Sequence, residues 1–344
     1  MPSGQLIRTE VVTACLLCKG LGITLYEGLS DRLWGSRGIW GFKKCRECGL
    51  IWLHPRPVIE DSIQAYADYQ THSTESVDQE LHGWRGKTKL AIHSAVPGYS
   101  ALADGWSWRW LGRALRWVPL LVDIRELGVM ALGDLQKGKL LEVGCGNGLF
   151  LSLMKRAGWD VQGVEPDTVA AKLAEELFHI PVFPGPLPEA HLPDSFFDAV
   201  VLSHVIEHAH DPLSLLKECR RVAKPQGRVV VLTPNSESLG HKIFQASWRD
   251  LDPPRHLYLF SMETLRETAA KSGIHVDDLR TSSRIARGVW TTSRIIQNHG
   301  VYADDAVNWR LRLGGMAFQL KEERARRISE KAGEELVLIG SPGS

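Results

Sequence analysis

From Lys139 to Gly273 two hydrophobic periods take turns along the chain. Short aliphatic runs, KLLEV, WDVQGVEP, FFDAVVLSHV and RVVVLTP, read as buried strands bounded by glycine, proline and acidic turns. Between them, LFLSLMKRAG, DTVAAKLAEEL and DPLSLLKECRRVAKPQG repeat apolar residues at the helical period, and SMETLRETAAKSG follows as one more helix. Asp167 and Ser261 stand at N-cap positions, Asp211-Pro212 opens a helix, and Gly158 and Gly273 close two others. This alternation over 136–285 predicts an α/β fold, a parallel sheet with helices on both faces. Residues 1–55 read as a separate small module, 56–135 as a helical linker or lid segment, and 286–344 as a helical extension. The charged run KEERARRISEKAGEE in that extension reads as a solvated helix face.

The first strand of the alternating region runs into GCGNG, Gly144 to Gly148. Glycines at a strand end permit a tight turn and let backbone N–H groups approach a ligand without an intervening Cβ. Leu149 occupies the place of the third glycine in a dinucleotide fingerprint, and no Lys-Ser/Thr follows as in a phosphate-binding loop. Glu142, just before the glycines, would repel a pyrophosphate and suit an amino or sulfonium cation. Glu165, at the end of the second strand, can accept the two hydroxyls of a ribose. A nucleoside with a cationic group and no diphosphate meets these demands, and S-adenosylmethionine is such a molecule.

LLEVGCGNGLFL, VEPD, FDAVVLSHVIEH and LKECRRVAKPQGRVVVLTPN, in this order and spacing, resemble the motifs of class I S-adenosylmethionine-dependent methyltransferases. The resemblance covers about residues 136–275 and implies a Rossmann-like sheet. It also implies that Glu142, Gly144, Cys145, Gly146, Asn147 and Gly148 shape the methionine pocket. Glu165 would hold the ribose, Pro166 and Asp167 flank the adenosine, and Leu187 border the adenine. Ser203 and His204 would face the methionine end.

Nearer the N-terminus, Cys15-x-x-Cys18 and Cys45-x-x-Cys48 are separated by 26 residues. Two such knuckles supply four thiolates for a closed tetrahedral Zn²⁺ site, which serves stability rather than catalysis. An iron site of the rubredoxin type and a redox dithiol are the alternatives. The segment is similar to a zinc ribbon. A ribbon followed by a methyltransferase core resembles a bacterial group associated with tailoring of sugars, polysaccharides and secondary metabolites.

Methyl transfer needs an acceptor in line with the sulfonium and, for a hydroxyl, a base. SHVIEHAHD puts histidines just beyond a strand end and DPPRHLYLF puts one after a proline-rich turn, and His208 and His256 are the candidate catalytic groups. Either can equally be a histidine that fixes a loop, and Asn235 is a further acceptor-side candidate. GWSWRWLGRALRW sets Trp106, Trp110 and Trp117 along one helical face beside Arg109, Arg113 and Arg116. That pattern reads first as a lid packed on the domain, and second as a peripheral membrane contact.

Composition narrows the classes. The 344 residues carry 44% hydrophobic and 24% charged residues and a formal charge of +1, as in an ordinary globular protein. No long uncharged apolar run and no leader-like N-terminus are apparent, and a cytoplasmic enzyme is expected. The near-zero charge argues against nucleic acid, since Lys43, Lys44 and Arg46 form the one basic cluster of the cysteine module. The expected function is methylation of oxygen or carbon on a small molecule or glycan precursor. An RNA methyltransferase with the ribbon as clamp, and a binding protein with a degenerate cofactor site, are the competing readings.

Overall fold

The computed structural model describes residues 7–66, 83–115, 117–118 and 121–343, apart from the side chain of Ile63. Its centre is a seven-stranded sheet. Strands β6 (Lys139–Val143), β7 (Asp160–Glu165), β8 (Val182–Pro184), β9 (Phe197–Ser203) and β10 (Ala223–Pro234) run parallel. Strand β12 (His275–Ser282) lies at the far edge, and β13 (Glu335–Ser341) is inserted antiparallel between β10 and β12. The spatial order is β12-β13-β10-β9-β6-β7-β8. It is a mixed α/β architecture of the Rossmann-like kind.

Both faces of this sheet are buried, as a parallel sheet requires, and the side chains divide by alternation. Leu141, Val143, Val200, Leu202, Val229, Val231 and Leu338 point to one core. There they meet α6 (Pro212–Val222) through Leu216 and Cys219, and α8 (Met262–Lys271) through Leu265 and Ala269. Leu140, Ala199, Val201, Val230, Leu232 and Val337 point to the other core. There they meet α4 (Leu149–Ala157) through Leu151 and Met154, and α5 (Thr168–Phe178) through Ala171 and Ala174. Asp167 caps α5 by accepting from the Val169 and Ala170 N–H groups, and Ser261 closes a capping box with Thr264 on α8.

The segment before the sheet contains α1 (Trp84–His93), α2 (Gly105–Leu115) and α3 (Val122–Leu127). Tyr99, Leu102, Leu127 and Leu132 pack into the second core, and Trp159 Nε1 donates to Tyr99 Oη at 2.9 Å. Of the predicted tryptophan face, Trp106, Trp110 and Trp117 all point to solvent, while the buried residue of α2 is Gly112. Arg116 and part of AYADY lie outside the described residues.

Two corrections concern the tail. Helices α9 (Ala286–His299) and α10 (Trp309–Arg326) are as the helical reading expects, but Glu335–Ser341 is a strand inside the sheet, one place from its edge. The signal was the aliphatic run LVLIG, which is too short to show a period of its own. Nor is the charged run all solvated. Glu322, Glu334 and Glu335 are fully buried because the first sits on the packed side of α10 and the others enter β13.

The N-terminal module is joined to the core by backbone. Strands β2 (Gly22–Leu29), β3 (Trp40–Cys45) and β4 (Ile51–Leu53) form an antiparallel sheet, and β11 (Tyr258–Leu259) from the far region of the chain adds to its edge. A shorter pair, β1 (Thr9–Glu10) with β5 (Arg56–Pro57), lies beside it. One ion-pair group crosses the same junction. Arg255, 1% exposed, donates from Nη1 and Nη2 to the two carboxylate oxygens of Asp31 at 2.8 Å each. It also bonds both carboxylate oxygens of Asp252 through Nε at 3.1 Å, and the Ala65 carbonyl at 3.1 Å. Asp31 further accepts the N–H groups of Leu33, Trp34 and Ser36. Burial alone would raise the Asp31 carboxyl. The Arg255 guanidinium and these N–H groups outweigh burial and hold it at about 2, against an ordinary 3.8.

A carboxyl lowered on folding stabilises the native state above its unfolded pKa, and that contribution is lost as pH falls through the folded value. Asp31→Asn should therefore lower unfolding stability at neutral pH by about 3–5 kcal/mol, the cost of stranding a buried partner charge. Denaturant titrations of both proteins should show the gap closing as pH falls from 3.8 towards about 2. A gap below about 1 kcal/mol at neutral pH, the level of a surface pair, would refute this account.

Candidate active site and cysteine cluster

The carboxyl ends of β6, β7, β9 and β10 bring the predicted residues to one end of the sheet. After β6 the chain turns through the glycine loop into α4. Gly144 has φ +71° and Gly148 φ +76°, and a Cβ on Gly144 would stand 2.5 Å from Val205 Cγ2. Glycine is required there by conformation and by space. Glu165, at the end of β7, reaches back to this loop. Its Oε2 accepts from Gly146 N at 2.8 Å and its Oε1 from Asp167 N at 2.9 Å. A carboxylate has about four lone-pair positions, so each oxygen keeps capacity for a hydroxyl donor. Burial raises the Glu165 carboxyl, and these two N–H groups pull against that.

Glu142 is buried one turn of chain earlier in β6, and its Oε2 has no hydrogen-bond partner among the described residues. Burial and the charge of Glu165 push its carboxyl well above the ordinary range. An orphaned acceptor beside a loop of glycine N–H groups fits a ligand that brings a cationic donor. Asn147 Oδ1 accepts from Leu149 N at 3.4 Å, while Pro166 is exposed at the mouth of the loop. Leu187 is buried close by, after β8. The Cys145 side chain turns away into the second core, so that position can face a ligand through backbone alone.

Beyond β9, Ser203 is half-buried and His204 adopts φ +55°. His204 Nε2 lies 3.0 Å from Glu335 Oε1, and its Nδ1 lies 3.3 Å from Glu207 Oε1. Burial disfavours the imidazolium, but the hydrogen bonds and charges of the two buried carboxylates outweigh this and raise its pKa to about 10. His204 is therefore a cation held by Glu207 and Glu335, and Arg284 Nη2 donates to the same Glu335 oxygen at 2.6 Å.

His208 and His256 lie together. Their ring centroids are 4.8 Å apart at an interplanar angle of 64°. His208 Nδ1 contacts the Arg255 carbonyl at 2.9 Å, and His256 Nδ1 contacts the Asp250 carbonyl at 2.7 Å. A carbonyl accepts only from an N–H, so each ring carries a proton on Nδ1. Burial, followed by the neighbouring His256, lowers the His208 pKa to about 4. It is neutral at physiological pH. Glu207, fully buried behind the pair, accepts from Thr233 Oγ1 at 2.8 Å. Asn235 does not fit the acceptor-side role. It is fully buried, donates to the Lys331 and Gly333 carbonyls at 2.8 and 2.7 Å, and accepts from Glu237 N at 3.0 Å.

Sequence reasoning missed Glu335, Arg284 and the Arg255–Asp31 pair. Each contact joins distant parts of the chain, and the one local hint was the sequence PPRHL, which sets an arginine beside a candidate histidine.

The four N-terminal cysteines converge. Cys15, Cys18, Cys45 and Cys48 place their sulfurs within 4.8 Å of one another, and none is in a disulfide. Cys15–Cys48, Cys18–Cys45 and Cys18–Cys48 are 3.5, 3.3 and 3.7 Å apart. A tetrahedron of thiolates at about 2.3 Å from zinc has edges of about 3.8 Å, so the donor set fits that ion. Cys219 lies in the core and takes no part.

Comparison with known proteins matches the central part of the chain. Residues 116–279 match the family described as "Methyltransferase domain". The chain is 36% identical over 159 residues to the ubiquinone biosynthesis O-methyltransferase of Alkalilimnicola ehrlichii, covering 43% of this chain and 62% of that protein. It is 29% identical over 152 residues to the Pseudomonas aeruginosa protein of the same name, covering 42% and 63%. The chain thus matches less than two thirds of the length of these relatives. Among solved structures, a SAM dependent methyltransferase from Archaeoglobus fulgidus aligns with TM-score 0.44 and 22% identity, over 68% of this chain and 99% of that one.

Proposed function

We propose that the chain is an S-adenosylmethionine-dependent methyltransferase of a small molecule or glycan precursor, with a structural zinc ion in its N-terminal module. The observation that carries this reading is the contact between the glycine loop and Glu165 at the ends of adjacent strands. It joins a surface of bare backbone N–H groups to a carboxylate that can hold a ribose. The orphaned Glu142 oxygen is the complementary feature for the amino acid end. When bound, S-adenosylmethionine supplies a methyl group on a sulfonium electrophile.

The residues of the chain do the rest. Glu142 and the loop N–H groups orient the charged end of the ligand, Glu165 fixes the sugar, and Asp167 and Leu187 border the nucleoside. Ser203 and the imidazolium of His204 line the other side. His208, held neutral by burial, and the adjacent His256 take a proton from the acceptor as its oxygen or carbon becomes nucleophilic. The names of the aligned relatives favour oxygen as the acceptor atom. The closed set of four thiolates leaves no open position for substrate, so the zinc role is to hold the β2–β4 sheet.

Calorimetric titration should give S-adenosylmethionine binding by the wild type and a loss of at least about tenfold in Glu165→Ala, which removes a charge-assisted hydrogen bond. Unchanged affinity in that variant, or no binding by folded wild type, would remove the cofactor reading. In His256→Ala, kcat for an accepted substrate should fall by about 10²–10⁴ while cofactor affinity is kept. Normal turnover would show that this ring only fixes its loop. Metal analysis should find one zinc per chain, absent after Cys45→Ser. Iron in the purified protein would point to the rubredoxin-type alternative.

A further inference from the structure

Helix α10 is apolar on two opposite sides. Gly315 and Phe318 face inward with Glu322, packed towards α9. The outward side carries Trp309, Leu313, Met316 and Leu320, which are 65%, 50%, 41% and 46% exposed. At about 100° per residue these four fall within an arc of about 60°. One helix face explains the packing, and the second has no partner among the described residues. A helix that is apolar all round is ordinarily enclosed on all sides.

The rim of the outward stripe is cationic. Arg310, Arg312, Lys321, Arg324 and Arg327 are all exposed and flank or end the stripe. The acid within the helix on this side, Glu323, is held by Arg326 at 2.8 Å and by Ser283 Oγ at 2.8 Å. Asp304 and Asp305 precede the helix and Glu330 follows it. Arg310 lies over the Trp309 ring, 5.4 Å from its centroid. Helix α2 repeats the arrangement with Trp106 and Trp110 exposed and Arg113 5.5 Å from the Trp110 centroid. Arg326 of α10 donates to Asp123 of α3, the helix that follows α2 along the chain, at 2.6 Å.

We infer that the outward face of α10 docks on an anionic lipid surface, with Trp309 at headgroup depth, the aliphatic residues below it and the arginines on phosphates. Charge selects this occupant. A two-fold contact with a second copy would lay the same face against itself and bring the five cations together. Lipid phosphates neutralise them, and each basic residue near such a surface contributes about 1 kcal/mol. No described helix is long and apolar enough to cross a membrane, so the contact is peripheral.

The test is sedimentation of the full chain with vesicles of phosphatidylcholine, with and without phosphatidylglycerol. Wild type should bind the anionic vesicles, and binding should fall steeply with added salt. Trp309→Ser combined with Leu320→Ser should weaken binding at least about tenfold, and Arg310→Gln with Arg324→Gln should do the same at low salt. All four positions are exposed, and circular dichroism with zinc content verifies that the variants fold. Absence of wild-type binding to anionic vesicles would overturn the inference. So would equal binding by the Trp309→Ser/Leu320→Ser protein. Concentration-dependent dimerisation abolished by those substitutions would also overturn it, by assigning the face to a second copy.

Discussion

A guanidinium with almost no exposed surface holds the two halves of this molecule in register. Arg255 sits between Asp31 of the cysteine module and Asp252 of its own loop. Taking three charged groups from water costs several kcal/mol per ion, and only near-complete hydrogen bonding offsets that. The geometry of the loop is therefore tightly specified. Its backbone carbonyl receives the His208 N–H, and the next residue is His256. Strand β11 begins two residues further on and completes the module's sheet. The distance between the cysteine cluster and the candidate chemistry is thus bridged by rigid parts, and the module belongs to the site's foundation.

Electrostatics at the strand ends divides the site into two sectors. Near β6 and β7 the groups are acidic and short of partners, with Glu142 orphaned and Glu165 bonded to backbone alone. Near β9 the acids are already matched in charge, because His204 and Arg284 form ion pairs with Glu207 and Glu335. An incoming cation is attracted to the first sector, while the second stays neutral overall. The His208–His256 pair stands at the edge of that second sector, next to the buried Glu207.

What the sequence made legible follows from locality. The strand, loop and helix around GCGNG, the caps at Asp167 and Ser261 and the convergence of two cysteine knuckles all rest on residues within a few positions of one another. Helical and strand periods, capping and knuckle geometry operate at that range. The partners that decide the electrostatics do not. Arg255 and Asp31 are 224 positions apart, and His204 and Glu335 are 131 apart. The tail strand was hidden for a related reason. Its aliphatic run is brief, and the acids Glu334 and Glu335 resemble solvated charge until their buried partners are known. The same holds for Asn235, whose role in bracing the turn at 331–333 depends on carbonyls about a hundred residues downstream.

The place of β13 has a consequence for how the chain matures during synthesis. Strands β10 and β12 never touch each other; both pair with β13, which follows them and the two helices α9 and α10 in chain order. Until residues 335–341 have left the ribosome, the central sheet must wait with a slot open between two strands. The inner edges on either side of it, Val229 to Leu232 among them, keep unpaired N–H and carbonyl groups on aliphatic residues. Glu335, the acceptor for His204 and Arg284, arrives with the same strand. The nascent chain therefore passes through a species with a sticky slit near one edge of its sheet, the kind of surface that holding chaperones recognise.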